Sequence, residues 1–228
     1  MEREELENLI IEIGKWMWQR GFVASNDGNI SARIGENEFL ATASGVSKGF
    51  MNREMILRVN IGGKSLDKKN AYKPSSEFKM HAEVYRLRKD VNAVVHAHPP
   101  YATAFALAGI PLDECYLPES VLTLGAVPIA GYALPSTDEV PASIRPHITK
   151  TDVLLLANHG ALAVGKNLED AYFKMETLEH TAKIVFNAKA LGNVNVLSEY
   201  EKKRLIALRE KYGLTNKFIE CKAKDKDR

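Results

Sequence analysis

The sequence predicts a single α/β domain, in which amphipathic helices alternate with short buried strands. Apolar residues recur at helical spacing between Glu2 and Arg20, and the β-branched apolar runs at 91–95 and 151–157 are typical of buried strands. Neither a repeat nor a linker-like stretch interrupts the 228 residues. We therefore assign residues 1–221 to one domain and the charged residues 222–228 to a mobile C-terminal tail.

The composition favours a cytoplasmic protein of the size of an enzyme. The net charge of +2 is too small to favour nucleic acid or an anionic membrane as a partner. No apolar run approaches the ~20 residues of a membrane span, and the acidic start at Met1–Glu5 is unlike a signal peptide. Cys115 and Cys221 follow no spacing pattern, which is typical of a protein from a reducing compartment.

Three short strands and a helix are expected after the first helix. The strands lie at 30–34, 38–43 and 55–61, and each is bounded by turn-forming residues. Ser75 is a plausible N-cap for a helix that continues to Arg88.

The second half of the chain continues the alternation of helices and strands. Proline, glycine and N-cap residues mark the ends of most of these elements. The predicted elements are helices at 99–108, 117–124, from Ser136 to His147, from Asn167 to Leu191 and from a capping box at Ser198, and strands at 127–130 and 161–164.

Three histidines lie at or just after the ends of predicted buried strands. His96 and His98 are two residues apart, so their side chains point to the same face of a strand. His159 lies in the turn-prone tripeptide that follows the strand at 151–157. Three neutral nitrogen ligands with an open fourth position are typical of a catalytic metal site. A hydrogen-bonded structural role is the alternative for each histidine taken alone.

Two serine-rich segments could bind an anion. Small hydroxyl residues flank Gly45 in the segment from Thr42 to Ser47, where backbone amides can approach an anion closely. Ser75 and Ser76 precede a helix, whose N-terminus offers unpaired N–H groups. A hairpin end and a simple helix cap are the alternatives. Glu77 either complements the helix dipole or acts as a general acid and base.

Together these motifs resemble the class II aldolase/adducin family, and most closely its L-fuculose-1-phosphate aldolase type. The resemblance covers roughly residues 5 to 215. The motifs that carry it, in order, are Gly28–Ser31, Thr42–Gly45, Ser75–Glu77, His96–His98 and Asn158–Gly160. The resemblance implies a three-layer α/β fold with a mixed, largely antiparallel central sheet flanked by helices. It also implies a homotetramer with active sites at subunit interfaces.

The resemblance further implies a metal-dependent aldolase that acts on a sugar phosphate. In the family, residues that match His96, His98 and His159 bind one Zn²⁺ per subunit, and the residue matching Glu77 is the acid/base and a fourth ligand in the resting enzyme. Mn²⁺ and Co²⁺ are alternatives, because histidine ligands accept several metals.

The resemblance also assigns the substrate contacts. Tyr132 matches a tyrosine that serves the aldehyde half, and Tyr212 matches a C-terminal tyrosine that reaches a neighbouring subunit's site. The phosphate of a ketose 1-phosphate is held by residues that match Asn29, Ser44, Gly45, Ser75 and Ser76. The expected reaction cleaves L-fuculose 1-phosphate, a 5-deoxypentulose 1-phosphate or ribulose 1-phosphate into dihydroxyacetone phosphate and a short aldehyde.

Several rival functions share parts of this pattern. Sugar-phosphate 4-epimerases of the same fold keep the histidines but carry Asp where Glu77 stands, so Glu77 favours an aldolase. A sugar-phosphate dehydratase also keeps the metal site. An adducin-like binding module lacks the metal histidines, and a structural zinc site would need a permanent fourth ligand.

Overall fold

The computed structural model describes residues 2–67 and 70–224, and its described strands form one seven-stranded sheet. The strand order is β3-β2-β1-β4-β7-β6-β5. Neighbouring strands are antiparallel except β5 and β6, which are parallel. The strands are β1 (Asn29–Arg33), β2 (Phe39–Thr42), β3 (Ile56–Val59), β4 (Ala93–Ala97), β5 (Ile129–Ala130), β6 (Val153–Leu156) and β7 (Gly160–Gly165).

Helices flank the sheet in two groups. Helices α2 and α5 pack against each other, and α3 and α6 form a second group that α1 joins. The mixed, largely antiparallel α/β fold expected from the resemblance is thus confirmed. The helices are α1 (Arg3–Gln19), α2 (Phe78–Leu87), α3 (Pro100–Ala108), α4 (Pro118–Thr123), α5 (Glu139–Ile148), α6 (Leu168–Ala190) and α7 (Glu199–Lys211), with short 3₁₀ helices at Lys48–Phe50 and Arg53–Met55.

The central strands are buried along their whole length. Every residue of β4, β6 and β7 is buried. A strand covered on both faces needs no polar side, which explains why these segments are continuous apolar runs rather than alternating ones. None of the helices within the described ranges is long and apolar enough to cross a membrane.

Two predicted helix caps are wrong, and two are confirmed. Helix α2 begins three residues after Ser75, whose hydroxyl accepts the Glu77 N–H at 3.3 Å without capping the helix. Ser136 has a positive φ of 68°, and Asp138 takes the N-cap position of α5. Asn167 and Ser198 do cap α6 and α7 through their side chains.

The C-terminal segment is attached to the domain beyond residue 221. A disulfide joins Cys115 to Cys221 across 106 residues of sequence. The backbone of Lys222 is hydrogen-bonded to that of Asp113 and Cys115, and Lys224 N–H donates to the Leu197 carbonyl.

These contacts correct two expectations. Residues 222–224 are held by backbone pairing and are not a mobile tail, and residues 225–228 lie outside the described residues. The cysteines are paired, so the inference of a reducing compartment from their spacing fails. Tertiary pairing brings the two residues together, and no local spacing pattern records that.

A buried ionic network links the end of α2, strand β6 and helix α6. The Asp152 carboxylate accepts from Arg88 at 2.7 Å and from Lys174 at 2.9 Å. All three side chains are buried, and Arg88 also pairs with Asp90 at 2.6 Å. Lys174 likewise pairs with Asp170 at 2.7 Å, so each cation has one carboxylate besides Asp152.

The Asp152→Asn substitution should therefore lower the free energy of unfolding by about 1.5–3 kcal/mol, because Arg88 and Lys174 lose their shared anion while each keeps one other carboxylate. Chemical denaturation of the two proteins measures this difference. Asp138→Asn is the control, since the Asp138 side chain is 90% exposed and pairs with the exposed Lys79. We expect its effect to stay below about 1 kcal/mol, and equal effects of the two substitutions would contradict the assigned role of the network.

Candidate active site

Three histidines converge where β4 ends and β7 begins. His96 lies in β4, His98 follows it, and His159 lies in the turn before β7. Antiparallel pairing of Ala97 with Ala161 brings both strand ends to the same edge of the sheet. The ligating nitrogens of the three rings all lie within 4.8 Å of one another. The structure thus brings together the three residues expected to bind metal.

The turn between β6 and β7 has a conformation that its sequence explains. Asn158 has a left-handed φ of 56°, which Asn tolerates better than most residues. A Cβ atom on Gly160 would lie 2.5 Å from the Ala97 carbonyl oxygen and 2.6 Å from Cδ2 of His98. Only glycine lets the turn approach His98 this closely.

Hydrogen bonding fixes which nitrogen of His96 can bind a metal. His96 Nδ1 lies 2.9 Å from the Ala161 carbonyl oxygen. A carbonyl only accepts, so Nδ1 carries the proton and the Nε2 lone pair is free. Nε2 is the nitrogen that faces the cluster, at 3.2 Å from His98 Nε2. A backbone partner that orients a histidine in this way is typical of metal sites.

Asp27 and the backbone orient His98. The Asp27 carboxylate lies 3.5 Å from His98 Nδ1, and the His98 N–H donates to the Phe22 carbonyl at 2.9 Å. The sequence analysis missed Asp27, because a carboxylate in a turn cluster carries no signal of a distant partner. With Nδ1 facing a carboxylate, Nε2 of His98 also faces the cluster.

The electrostatics keep the imidazoles of His96 and His159 neutral. Burial lowers the pKa of His96 well below its usual range, and His159 and His98 lower it further. Burial also lowers the pKa of His159, an effect that the carboxylates of Glu77 and Asp27 partly oppose. Neutral imidazoles offer lone pairs at pH 7 without first losing a proton.

The spacing of His96 and His98 fits two neighbouring ligands of a tetrahedral divalent metal. Tetrahedral Zn–N bonds of about 2.0–2.1 Å place neighbouring ligand atoms about 3.3 Å apart. The Nε2 atoms of His96 and His98 are 3.2 Å apart, which is close to this value. Three nitrogen ligands leave a coordination position for substrate or water. The three histidines could therefore hold one ion, whose identity their chemistry does not fix.

Glu77 lies near the cluster and has one free oxygen. Its Oε1 accepts the Ser136 N–H at 2.9 Å. Its Oε2 is buried and has no hydrogen-bond partner among the described residues. The carboxylate is close enough to oppose the lowering of the His159 pKa. A buried carboxylate oxygen without a partner is costly unless a metal, water or substrate completes it.

The predicted anion-binding residues lie on adjoining segments. Ser44 N–H donates to the Lys73 carbonyl at 2.8 Å, which places the loop after β2 beside the segment that contains Ser75. Asn29 is buried at the start of β1, is paired with His96, and its Oδ1 has no partner within the described chain. The exposed pair Ser44 and Gly45 lies on the first segment, and Ser75 and Ser76 lie on the second.

The two tyrosines differ in their relation to the histidines. Tyr132 is 63% exposed and lies in the loop that continues to Ser136, whose backbone binds Glu77. Tyr212 is equally exposed but ends α7, a helix that packs against α4. No hydrogen bond within the described residues connects Tyr212 to the histidines of its own chain.

Two further buried groups support the site from outside. Glu179 on α6 accepts the N–H groups of Tyr101 and Ala102 at 3.0 and 2.8 Å, which caps α3 directly after the His98 segment. His81 Nδ1 is 2.7 Å from the Ser31 hydroxyl, and burial lowers the pKa of His81 to about 3. His81 is therefore a buried, hydrogen-bonded structural residue and does not belong to the histidine cluster. Nothing in the local sequence identifies Glu179 as a cap for another helix.

Known proteins resemble this chain in sequence and in fold. Residues 8–186 match the family described as class II aldolase and adducin N-terminal domain. An L-fuculose phosphate aldolase of Methanococcus vannielii is 37% identical over 76% of this chain and 92% of that protein. A 3-oxo-tetronate 4-phosphate decarboxylase of Pectobacterium atrosepticum is 32% identical over 78% of this chain and 82% of that protein.

Solved structures agree with the sequence relatives. An L-fuculose 1-phosphate aldolase structure superposes with a TM-score of 0.82 at 29% identity, covering 94% of this chain and 99% of that chain. YgbL from Klebsiella pneumoniae also gives 0.82, at 28% identity over 90% of this chain and 99% of that chain. This chain belongs to the class II aldolase/adducin family, as its motifs predict.

Replacing Gly160 tests the close approach at the histidines. Gly160→Ala should weaken Zn²⁺ binding by at least about 10-fold, since the new methyl group displaces the ring of His98 and misaligned ligands cost affinity on this order. Competition with a chromogenic chelator measures the dissociation constant. Gly131→Ala is the matched control, because a Cβ there meets no atom within 4 Å. Unchanged zinc affinity in Gly160→Ala would contradict the proposed ligand geometry.

Proposed function

We propose that the protein is a divalent-metal-dependent lyase that acts on a sugar phosphate and breaks the bond between the carbon α to the carbonyl and the carbon beyond it. The substrate that we favour is a ketose 1-phosphate such as L-fuculose 1-phosphate, and the products are dihydroxyacetone phosphate and a short aldehyde. The main support is the juxtaposition of three convergent histidine nitrogens with the free Oε2 of Glu77.

The metal site and the anion seat, which comprises the proposed phosphate-binding residues, would have separate roles. His96, His98 and His159 would hold the ion, which as a Lewis acid stabilises negative charge developing on the substrate oxygens. The substrate phosphate would lie on Asn29, Ser44, Gly45, Ser75 and Ser76, where hydroxyl, amide and backbone N–H groups supply donors. Fixing the phosphate orients the bond to be broken and lowers the entropic cost of reaction.

Glu77 would carry the proton. In cleavage the C4 hydroxyl loses its proton, the C3–C4 bond breaks, and the electron pair stays with C3. Glu77 then protonates C3, and it removes that proton in the reverse direction. A correctly placed acid/base typically contributes about 10²- to 10⁴-fold to the rate. The bond from the Ser136 N–H to Oε1 holds the carboxylate while Oε2 remains available.

We also propose roles for Tyr132 and Tyr212 and a homotetrameric assembly. Tyr132, on the loop that is bonded to Glu77, would exchange a proton with the C4 oxygen of the aldehyde half. Tyr212 would serve a neighbouring subunit's site in a homotetramer, because its exposed side chain ends a helix that packs elsewhere on its own subunit. A cytoplasmic location stays a prediction from the composition, and the Cys115–Cys221 disulfide removes the support that unpaired cysteines would give it.

Decarboxylation is the second candidate, and the 32% identical decarboxylase favours it. Loss of CO₂ from C1 of a 3-oxo-tetronate 4-phosphate leaves the same three-carbon fragment, which protonation converts to dihydroxyacetone phosphate. The same metal and Glu77 would serve both reactions. Only the leaving group differs, and CO₂ needs no proton exchange at an alcohol.

A product assay distinguishes the two reactions. Zinc-loaded protein is given a panel of ketose 1-phosphates or 3-oxo-tetronate 4-phosphate, with coupled detection of dihydroxyacetone phosphate. We expect activity with a ketose 1-phosphate, its loss with chelator and in His98→Ala, and a fall of about 10²- to 10⁴-fold in Glu77→Gln.

Matched variants control for nonspecific damage in this assay. The exposed His180 and Glu54 allow His180→Ala and Glu54→Gln as controls, and both should retain full activity. Product from the 3-oxo acid alone would favour the decarboxylase. Zinc-loaded protein that produces dihydroxyacetone phosphate from neither substrate class would contradict both candidates.

A further inference from the structure

We propose that Lys48 is a positioning residue whose buried ammonium joins the two backbone segments of the anion seat and places a fixed positive charge beside it. The inference rests on the proposed function, because it takes Asn29 and the Ser44–Gly45 loop as the place where substrate phosphate binds. Lys48 belongs to none of the motifs in the sequence analysis.

The ammonium bridges two separate segments of the chain. Lys48 begins a 3₁₀ helix and is 1% exposed. Its Nζ donates to the Val46 carbonyl at 2.6 Å and to the Asn26 carbonyl at 3.1 Å. Val46 lies in the loop after β2, and Asn26 lies in the turn before β1. One side chain thus connects the loop and the turn.

Each connected segment carries predicted anion ligands. The turn leads into Asn29, whose buried Oδ1 has no partner among the described residues. The loop contains Ser44 and Gly45 directly before Val46. A second link, from the Ile30 N–H to Thr42 Oγ1 at 3.2 Å, joins the same segments on the strand side. Lys48 therefore sets the distance between the loop and the turn at the end of the anion seat opposite the Ile30–Thr42 link.

The charge of Lys48 is incompletely balanced. Burial lowers its pKa to about 8, which Asp27 partly opposes, so the ammonium is still mostly protonated at pH 7. A buried cation is costly when only neutral carbonyls solvate it. An anion bound on the neighbouring loop would offset part of that cost. This explains why a lysine lies below a seat whose own ligands are neutral.

Lys48 also connects the anion seat to the metal side. The turn that it holds at Asn26 continues to Asp27, whose carboxylate lies 3.5 Å from His98 Nδ1. Helix α1 supports the arrangement from below, since a Cβ on Gly14 would lie 2.8 Å from the Lys48 carbonyl oxygen. Lys48 therefore has little freedom to move without moving the turn.

Lys48→Met and Lys48→Gln separate these effects. Methionine keeps the volume and loses both the charge and the hydrogen bonds, whereas glutamine keeps a donor and loses the charge. The probe is inorganic phosphate, titrated calorimetrically into the zinc-loaded protein. We expect Lys48→Met to bind phosphate about 10- to 100-fold more weakly, the loss typical of a charge-assisted interaction. Lys48→Gln should fall between Lys48→Met and the wild type.

Two further readouts exclude general damage. Zinc affinity should fall less than phosphate affinity, because Lys48 reaches His98 only through Asn26 and Asp27, and with substrate KM should rise while kcat changes little. Lys64→Met, at an exposed lysine, should match the wild type throughout. If Lys48→Met does not fold, Lys48→Gln carries the same comparison.

The outcomes distinguish this inference from the proposed function. Wild-type phosphate affinity in both Lys48 variants would overturn the role of Lys48 and leave the proposed function standing. Failure of the zinc-loaded wild type to bind phosphate would overturn the anion seat itself, and the inference with it.

Discussion

The pairing of β4 with β7 is the constraint on which the rest of the structure depends. It places the end of one strand beside the beginning of the other, so His96, His98 and His159 meet although 61 residues separate the last two. The same pairing supplies the Ala161 carbonyl that fixes the tautomer of His96. It also demands glycine at position 160, where the strands and the ring of His98 meet.

Burial of the central sheet makes this geometry rigid. Strands β4, β6 and β7 are covered on both faces, and the network around Asp152 connects the two helical groups through the sheet. Side chains at the strand ends therefore project from a framework that tolerates little movement. The groups that would handle substrate lie on the turns and loops at this edge, which is where sequence can vary without loss of the core.

Strong local signals made much of the fold predictable from the sequence. The apolar runs around His96 and before His159 identified central strands, and the motif order identified the family and its mixed sheet. The prediction that Ser75 caps α2 is wrong, because its hydroxyl accepts the N–H of Glu77 before the helix begins. A cap motif predicts that a backbone N–H near the start of a helix will be hydrogen-bonded, but it does not fix the residue at which helical geometry begins.

The features that the sequence did not predict are contacts between residues that are distant in the chain. Asp27 faces His98, Lys48 spans two loops, and Glu179 caps a helix that begins 79 residues earlier. The disulfide between Cys115 and Cys221 likewise forms through the pairing of distant backbone segments. None of these contacts has a local period or spacing.

X-ray absorption at the zinc edge of the metal-loaded protein tests the central claim most directly. We expect one zinc per chain, bound by three imidazole nitrogens at about 2.0–2.1 Å with oxygen ligands completing the shell. Loss of one imidazole contribution in His159→Ala would confirm the assignment of the turn histidine. A sulfur ligand, or a spectrum with fewer than three imidazoles in the wild type, would contradict the site described for β4 and β7.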